Sequence, residues 1–179
     1  MKIAVVDIET TGFLREGGLI VEIGIVLLDL ETGDVEHVYN ELVREKEFEE
    51  EHRKSWIFDN SDLTHGEVME ASSLDKEKIQ DIFNKYLATA YNKDFDFKFL
   101  RDRGLIINDL PCPMILATDV CNIPHPNGYG KKWPKVQEAW DFFFTDSDYI
   151  EKHRGADDAE HEALIVYELY KRGIFRCDE

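Results

Sequence analysis

The sequence predicts one α/β domain in which a mixed β-sheet is flanked by helices. Two observations carry this prediction: three strand-like segments open the chain, and helical and strand-like segments alternate after them. The chain has 179 residues, of which 43% are hydrophobic, and this is enough for one domain with a buried core. Because the sequence has no internal repeat and no low-complexity linker, residues 1–179 are interpreted as a single domain.

The three opening segments are predicted as neighbouring strands. Residues 3–9 are mostly β-branched and apolar, which is typical of a strand buried on both faces at the centre of a sheet. Residues 19–30 and 35–43 predict two further strands, and Glu31, Thr32, Gly33 and Asp34 form a hairpin turn signal between them.

Later segments are predicted from the spacing of their apolar residues. The helical spacing of apolar side chains indicates helices at 79–87, 95–104, 136–143 and 153–173. Residues 87–91 and 114–120 are short apolar runs that we expect to be additional strands.

The charge of the chain excludes one class of nucleic-acid binder. It has 38 acidic and 21 basic residues, for a net charge of -17. A protein that holds nucleic acid by neutralising many phosphates needs a basic surface, so that class is excluded. A protein that holds the end of a strand through bound cations is still compatible with this composition.

The sequence also suggests a cytoplasmic location. No segment approaches the roughly 18 uncharged apolar residues of a membrane helix, and the apolar start of the chain ends at Asp7, unlike a signal peptide. Three cysteines, Cys112, Cys121 and Cys177, are odd in number and lack CxxC spacing. This pattern disfavours a disulfide framework or a zinc ribbon and fits a reducing compartment.

The first candidate site is the segment Asp7-Ile8-Glu9-Thr10-Thr11-Gly12. Residues two apart in a strand point to the same side, about 6.6 Å apart, so two carboxylates stand together at the end of an apolar strand. The two negative charges repel each other, and a cation between the carboxylates removes this repulsion. Carboxylate oxygens are ligands that suit Mg²⁺ or Mn²⁺. The turn that follows exposes backbone N–H groups and hydroxyls to a ligand. The alternative is a strand that ends in solvent.

A second candidate acid lies in the middle of the chain. Asp96 falls in the first turn of a predicted helix, where the helix dipole favours a carboxylate. Asp94, two residues earlier, is interpreted as a helix N-cap.

A third candidate is His153, just before a helix whose first turn contains Asp157 and Asp158. A histidine beside a metal site can act as a general base near neutral pH. The alternative is an exposed histidine before a helix whose acids match the helix dipole, and His161 is a weaker candidate ligand.

These three segments together resemble the exonuclease motifs of DEDDh 3′→5′ exonucleases. The motifs are Asp-x-Glu-Thr-Thr-Gly, Asn-x-x-Phe-Asp and His-x-x-x-x-Asp, in the order and at the separations of that DnaQ-like family, which includes polymerase proofreading subunits. The resemblance covers nearly the whole chain. It implies a ribonuclease H-like fold with a mixed five-stranded sheet flanked by helices.

The resemblance also implies a role for each motif residue. Two divalent ions, Mg²⁺ or Mn²⁺, would be held by Asp7, Glu9, Asp96 and Asp158, and these four residues with His153 as general base would be catalytic. The residues implied to contact the terminal nucleotide are Thr10, Thr11, Gly12, Phe13 and Asn92. Gly155 stands where the family usually has alanine, and its backbone freedom is expected to loosen His153.

The implied reaction is two-metal hydrolysis of the last phosphodiester, which releases a nucleoside 5′-monophosphate. The leading hypothesis is a single-stranded DNA exonuclease for repair or proofreading. The alternatives are an RNA-trimming enzyme of the oligoribonuclease type and, from another class, a catalytically silent module that binds strand ends. The expected partner is a nucleic-acid 3′ end rather than a membrane, while a polymerase partner or a homodimer is left open.

Two basic groups are candidates for guiding the strand. Residues 131–135 form the densest cluster and include Trp133, so they offer charge and stacking, although a solvated loop is the other interpretation. The second group surrounds the middle motif and consists of Lys93, Lys98, Arg101 and Arg103.

Overall fold

The computed structural model describes residues 1–177 and contains one mixed four-stranded sheet. Its strands are β1 (Lys2–Thr10), β2 (Ile20–Asp29), β3 (Val35–Leu42) and β4 (Ala88–Thr89). They lie in the order β3-β2-β1-β4, with β2 antiparallel to β1 and β3, and β4 parallel to β1. The mixed sheet and its three opening strands are confirmed.

Helices cover the sheet on both faces. The described residues form seven α-helices: α1 (Trp56–Asn60), α2 (His65–Glu70), α3 (Lys76–Lys85), α4 (Lys93–Asp102), α5 (Pro113–Cys121), α6 (Val136–Phe143) and α7 (Gly155–Lys171). Within residues 1–177, none of these helices is both long and apolar enough to cross a membrane.

The prediction of a fifth strand is wrong. Residues 114–120, expected as a strand, lie in α5, which begins at Pro113. Proline suits the first turn of a helix because its φ is already helical and its missing N–H is not needed there. A short apolar run does not by itself distinguish a strand from a buried helix. After β4, the described residues form two isolated bridges, one between Ala88 and Asp109 and one between Pro124 and Lys131.

β1 is central in the sheet because both of its faces are buried. Ala4, Val6 and Ile8 pack in a core with side chains from α3 and α4. Ile3 and Val5 point the other way, into a core with side chains from α5, α6 and α7. Since side chains alternate along a strand, Asp7 and Glu9 share the face that α7 covers.

The start of α7 meets β2 at a contact between two glycines. A Cβ on Gly24 would overlap the carbonyl carbon of Gly155, and a Cβ on Gly155 would lie 2.6 Å from the backbone nitrogen of Gly24. Neither residue has room for a side chain. Gly155 is therefore explained by this close approach, which holds the backbone after His153 against the sheet, and not by a need for flexibility.

We expect Gly24→Ala to destabilise the protein by about 3 kcal/mol or more, because backbone atoms must move to admit the methyl group. Gly66→Ala is the matched control, since a Cβ at Gly66 in α2 meets no atom within 4 Å. Urea unfolding midpoints measure both effects. Equal midpoints for the two variants would show that the glycine contact is not tight.

Candidate active site

The carboxylates of Asp7 and Glu9 lie at the carboxyl end of β1. Asp7 pairs with Gly24 and Glu9 with Glu22 across β2, and the register shifts between Glu9 and Thr10, where the ladder becomes irregular. Glu9 is buried, and Oδ2 of Asp7 is a buried oxygen without a hydrogen-bond partner among the described residues. A buried acceptor of this kind is costly unless something that the protein binds satisfies it.

The Asp158 carboxylate, in the first turn of α7, is held by three donors. It accepts hydrogen bonds from the Tyr149 hydroxyl at 2.6 Å, from the Arg154 backbone N–H at 2.8 Å and from the Lys152 backbone N–H at 3.3 Å. These bonds orient a side chain that is only 2% exposed.

Glu9, His153 and Asp158 form a group that can hold a cation. One ligand atom from each residue lies within 4.8 Å of the others. The carboxylate oxygens of Glu9 and Asp158 suit Mg²⁺ or Mn²⁺, and the Asp7 oxygen without a hydrogen-bond partner belongs to the same strand end. The residues present therefore fit a divalent metal site. His161 does not join this group, since its Nδ1 lies 2.6 Å from the backbone oxygen of Asp157.

Asp96 approaches the same strand end from α4. Its Oδ1 accepts a hydrogen bond from the backbone N–H of Ile8 at 3.3 Å, which places the carboxyl group beside β1. Burial raises the pKa of Asp96 to about 7, although backbone hydrogen bonds from its own N–H and from Ile8 oppose this shift. Asp94 is exposed and pairs with Lys98, and the structure shows no side-chain cap at the start of α4.

Asp7 and Glu9 also have raised pKa values, for the same reason. Burial is the main cause for Asp7, followed by repulsion from Glu162, Glu9 and Asp96. Burial also raises the pKa of Glu9 well above its usual range, with Asp158 as the largest charged neighbour. A bound cation favours the ionised form of these carboxyl groups. Its binding is therefore expected to lower their raised pKa values and to stabilise the cluster.

Glu162 is a further buried acid that the sequence analysis missed. It is 4% exposed, its pKa is raised by burial and by Asp96, and its Oε2 accepts a hydrogen bond from the Tyr91 backbone N–H at 3.2 Å. The signal was available, because Glu162 lies four residues after Asp158 and thus on the same helix face.

This acid cluster predicts an unusual pH dependence for the metal-free protein. Asp96 has a pKa of about 7 in the folded chain against 3.8 when exposed, so the unfolded state binds fewer protons between these values. The free energy of unfolding therefore falls as pH rises from about 4 through 7. In EDTA we expect the Tm to drop between pH 5.5 and 8 by about 2–4 °C for each kcal/mol lost.

The pH dependence is measured by thermal unfolding in EDTA and in Mg²⁺. Added Mg²⁺ should restore the Tm at pH 8, because the cation replaces the protons. The variant Asp96→Asn should show a smaller drop. A Tm in EDTA that rises steadily to pH 8 would contradict the raised pKa values.

His153 is held in a backbone conformation that few non-glycine residues adopt, with φ of 55°. The next residue, Arg154, anchors this turn: its guanidinium binds buried Glu22 at 2.9 and 3.0 Å and Asp62 at 2.6 Å. The imidazole contacts the Trp56 ring edge-on, with centroids 4.8 Å apart. Nothing in the sequence indicated that Trp56 would lie beside His153.

The turn after β1 lines a cavity of about 490 Å³ next to these acids. Its lining residues are Ile8, Glu9, Thr10, Thr11, Gly12, Phe13, Trp56 and Phe95. The hydroxyl of Thr11 accepts from the Leu19 N–H at 2.9 Å, and that of Thr10 donates to the Gly12 carbonyl at 3.0 Å. These bonds give the turn its shape. Asn92 lies elsewhere, in the lining of a neighbouring cavity.

The basic side chains of the two groups considered from the sequence are mostly paired with acids. The ion pairs are Lys93–Asp109, Lys98–Asp94, Arg101–Asp109, Arg103–Glu45, Lys131–Asp119 and Lys132–Glu138. The two basic groups considered from the sequence therefore form no free patch of positive charge within the described chain.

Comparison with solved structures identifies the architecture. A structure of the nuclease domain of 3′hExo, a DEDDh family member bound to rAMP, matches with a TM-score of 0.71 at 19% identity over 99% of this chain and 96% of that one. The chain has the fold of DEDDh 3′-exonuclease domains. The resemblance inferred from the three motifs is thus confirmed at the level of the fold.

Two further structures support this exonuclease fold. A full-length 3′-exonuclease matches with a TM-score of 0.70 at 18% identity over 97% of this chain, which spans 62% of that longer protein. A 3′-exonuclease that recognises the 3′ end of the histone mRNA stem-loop matches with a TM-score of 0.70 at 17% identity, over 97% of this chain and 83% of that one. By sequence, no family model and no curated protein matches the chain.

Proposed function

We propose that this protein is a metal-dependent 3′→5′ exonuclease that removes nucleoside 5′-monophosphates from the end of a strand. The observation that carries the proposal is the meeting of Glu9, His153 and Asp158 within 4.8 Å at the edge of a cavity sized for a nucleotide. The exonuclease fold supports it independently.

In this proposal the carboxylates of Asp7, Glu9, Asp96 and Asp158 hold two divalent ions. Such ions lower the pKa of water and stabilise the charge on a departing oxygen. His153 accepts the proton of the attacking water, and the bond from Arg154 to Glu22 fixes the turn that carries the imidazole. The turn from Thr10 to Phe13 contacts the terminal nucleotide, in a cavity that Trp56 also lines.

The acidic composition is compatible with this activity. A net charge of -17 repels the backbone of a strand, so productive binding must depend on the cations at the scissile phosphate. A catalytically silent end-binding module is the weaker hypothesis, because the acids and the histidine all converge on one strand end.

We propose single-stranded DNA as the preferred substrate. The residues of the Asp7 motif and of the segment from Asn92 to Asp96 resemble those of the proofreading branch of the family. RNA is the second candidate, and one observation favours it: two of the similar solved structures are described with a histone mRNA stem-loop and with rAMP. Hydrolysis of both strands under one set of conditions decides between them.

The test uses 5′-labelled DNA and RNA strands of one sequence with Mg²⁺ or Mn²⁺. We expect a ladder that shortens from the 3′ end, is lost with EDTA and is lost in Asp158→Ala. Asp157→Ala is the matched control, because the neighbouring Asp157 pairs with Lys152 and does not join the cation-binding group. No ladder from the wild-type protein on either strand would overturn the proposal, and a faster DNA ladder would support the DNA preference.

A further inference from the structure

The Tyr149 hydroxyl is a polar group at the acid cluster to which the proposed function gives no role. It donates to Oδ1 of Asp158 at 2.6 Å, and the Lys152 backbone N–H donates to the same oxygen at 3.3 Å. Oδ2 of Asp158 accepts from the Arg154 backbone N–H at 2.8 Å. Because a carboxylate oxygen has two lone pairs, these donors occupy both lone pairs of Oδ1 and leave one on Oδ2.

The ring of Tyr149 is held in place by its neighbours. It stacks on the imidazole of His161, with centroids 3.5 Å apart and planes 11° from parallel. Trp140 packs against it with centroids 4.9 Å apart, and the Tyr149 backbone carbonyl accepts from Nε2 of Gln137 at 2.9 Å. His161 therefore supports the ring that contacts Asp158, and the hydroxyl has a fixed position against that carboxylate.

The number of oxygens that a carboxylate offers affects which cation it binds best. Ca²⁺ takes about six to eight oxygen ligands in a flexible arrangement and accepts both oxygens of one carboxylate. Mg²⁺ is smaller and requires near-octahedral geometry. The two oxygens of one carboxylate lie too close together to fill two octahedral positions without distortion. A carboxylate with one oxygen already occupied by donors therefore suits Mg²⁺ or Mn²⁺ better than Ca²⁺.

We propose that Tyr149 sets the metal selectivity of the site by keeping Oδ1 of Asp158 away from the cation. Tyr149 is a positioning residue that acts through Asp158, and Asp158 then binds the cation through Oδ2. The inference rests on the proposed function and deepens it by naming the cation class, which is small octahedral divalent ions in preference to Ca²⁺.

The variant Tyr149→Phe isolates the contribution of the hydroxyl. The other two donors to Asp158 are backbone N–H groups, which the substitution leaves in place. Phenylalanine keeps the ring that packs between His161 and Trp140. The substitution therefore frees a lone pair on Oδ1 without removing the support of the turn before α7.

The experiment measures the Kd values of MgCl₂ and CaCl₂ by titration calorimetry at pH 8, on protein freed of metal with EDTA. We expect Tyr149→Phe to lower the ratio of the Ca²⁺ Kd to the Mg²⁺ Kd by about tenfold, because groups that hydrogen-bond to metal ligands typically change metal affinity by about 10–100-fold. Tyr91→Phe is the matched control. Its buried hydroxyl donates to the Pro134 carbonyl at 3.1 Å, outside the cation-binding group, so its ratio should equal that of the wild-type protein.

The outcomes separate this inference from the proposed function. A ratio in Tyr149→Phe equal to that of the wild-type protein would overturn the role of Tyr149. A crystal structure of the wild-type protein with Ca²⁺ tests it without a variant, and Ca²⁺ bound to both oxygens of Asp158 would also overturn it. If the wild-type protein binds Mg²⁺ but hydrolyses no strand, the exonuclease proposal fails while the ratio still tests Tyr149. A wild-type protein that binds neither cation would contradict both.

Discussion

Asp7→Asn is expected to abolish hydrolysis while making the metal-free protein more stable. The carboxylate lies at the centre of the acid cluster, and loss of one metal ligand should remove about 4 kcal/mol of transition-state stabilisation, or about 10³-fold in rate. The same carboxylate has a buried oxygen without a partner, and its pKa is raised by burial and by neighbouring acids. A neutral amide removes this repulsion and can donate to the surrounding carboxylates.

Activity assays and thermal unfolding in EDTA at pH 8 test both halves of this prediction. We expect a Tm increase of about 2–4 °C for each kcal/mol gained. Asp157→Asn is the matched control, since Asp157 also has a buried oxygen without a hydrogen-bond partner among the described residues but lies outside the cation-binding group. It should keep its activity. An active Asp7→Asn protein, or one with a lowered Tm, would show that the Asp7 carboxylate is not a ligand of the cation.

His153→Gln is expected to lower kcat by about 10²–10⁴-fold without weakening metal activation. His153 is within reach of the metal group, so it is either the proton acceptor or a ligand. Glutamine cannot take the proton. If His153 is the base, the Mg²⁺ concentration at half-maximal activity stays the same.

His37→Gln serves as the control for a histidine outside the site, since His37 is exposed and pairs with Glu160 at 2.7 Å. We expect its rate to match that of the wild-type protein. A His153→Gln protein that needs far more Mg²⁺ but retains its maximal rate would show that His153 is a metal ligand and not the proton acceptor.

The strand end with Asp7 and Glu9 was predictable because its signals are local. Alternation along a strand places both carboxylates on one side, and the first-turn positions of Asp96 and Asp158 follow from helical spacing. Glu162 was predictable by the same rule, from its position one helical turn after Asp158. Periodicity placed Asp96 and Asp158 in the first turns of their helices, whereas their assignment to one site with Asp7 and Glu9 came from the resemblance of the three motifs.

Contacts between distant segments were not predictable from local patterns. Trp56 meets His153, and Arg154 meets Glu22, across about a hundred residues of chain. The ion pair of Lys132 with Glu138 depends on the turn before α6, so the sequence alone overstated the free positive charge near Trp133. The prediction of a fifth strand failed for a different reason, because the short apolar run at residues 114–120 does not by itself distinguish a strand from the buried helix α5 that it forms.

The most direct test of the central claim is a crystal structure of the protein with Mn²⁺ and a nucleoside 5′-monophosphate, collected for anomalous scattering at about pH 8. We expect anomalous peaks within about 2.0–2.4 Å of carboxylate oxygens of Asp7, Glu9 and Asp158, with the nucleotide base between Trp56 and Phe13. Crystals that bind Mn²⁺ only at exposed acids, with no peak at the end of β1, would contradict it.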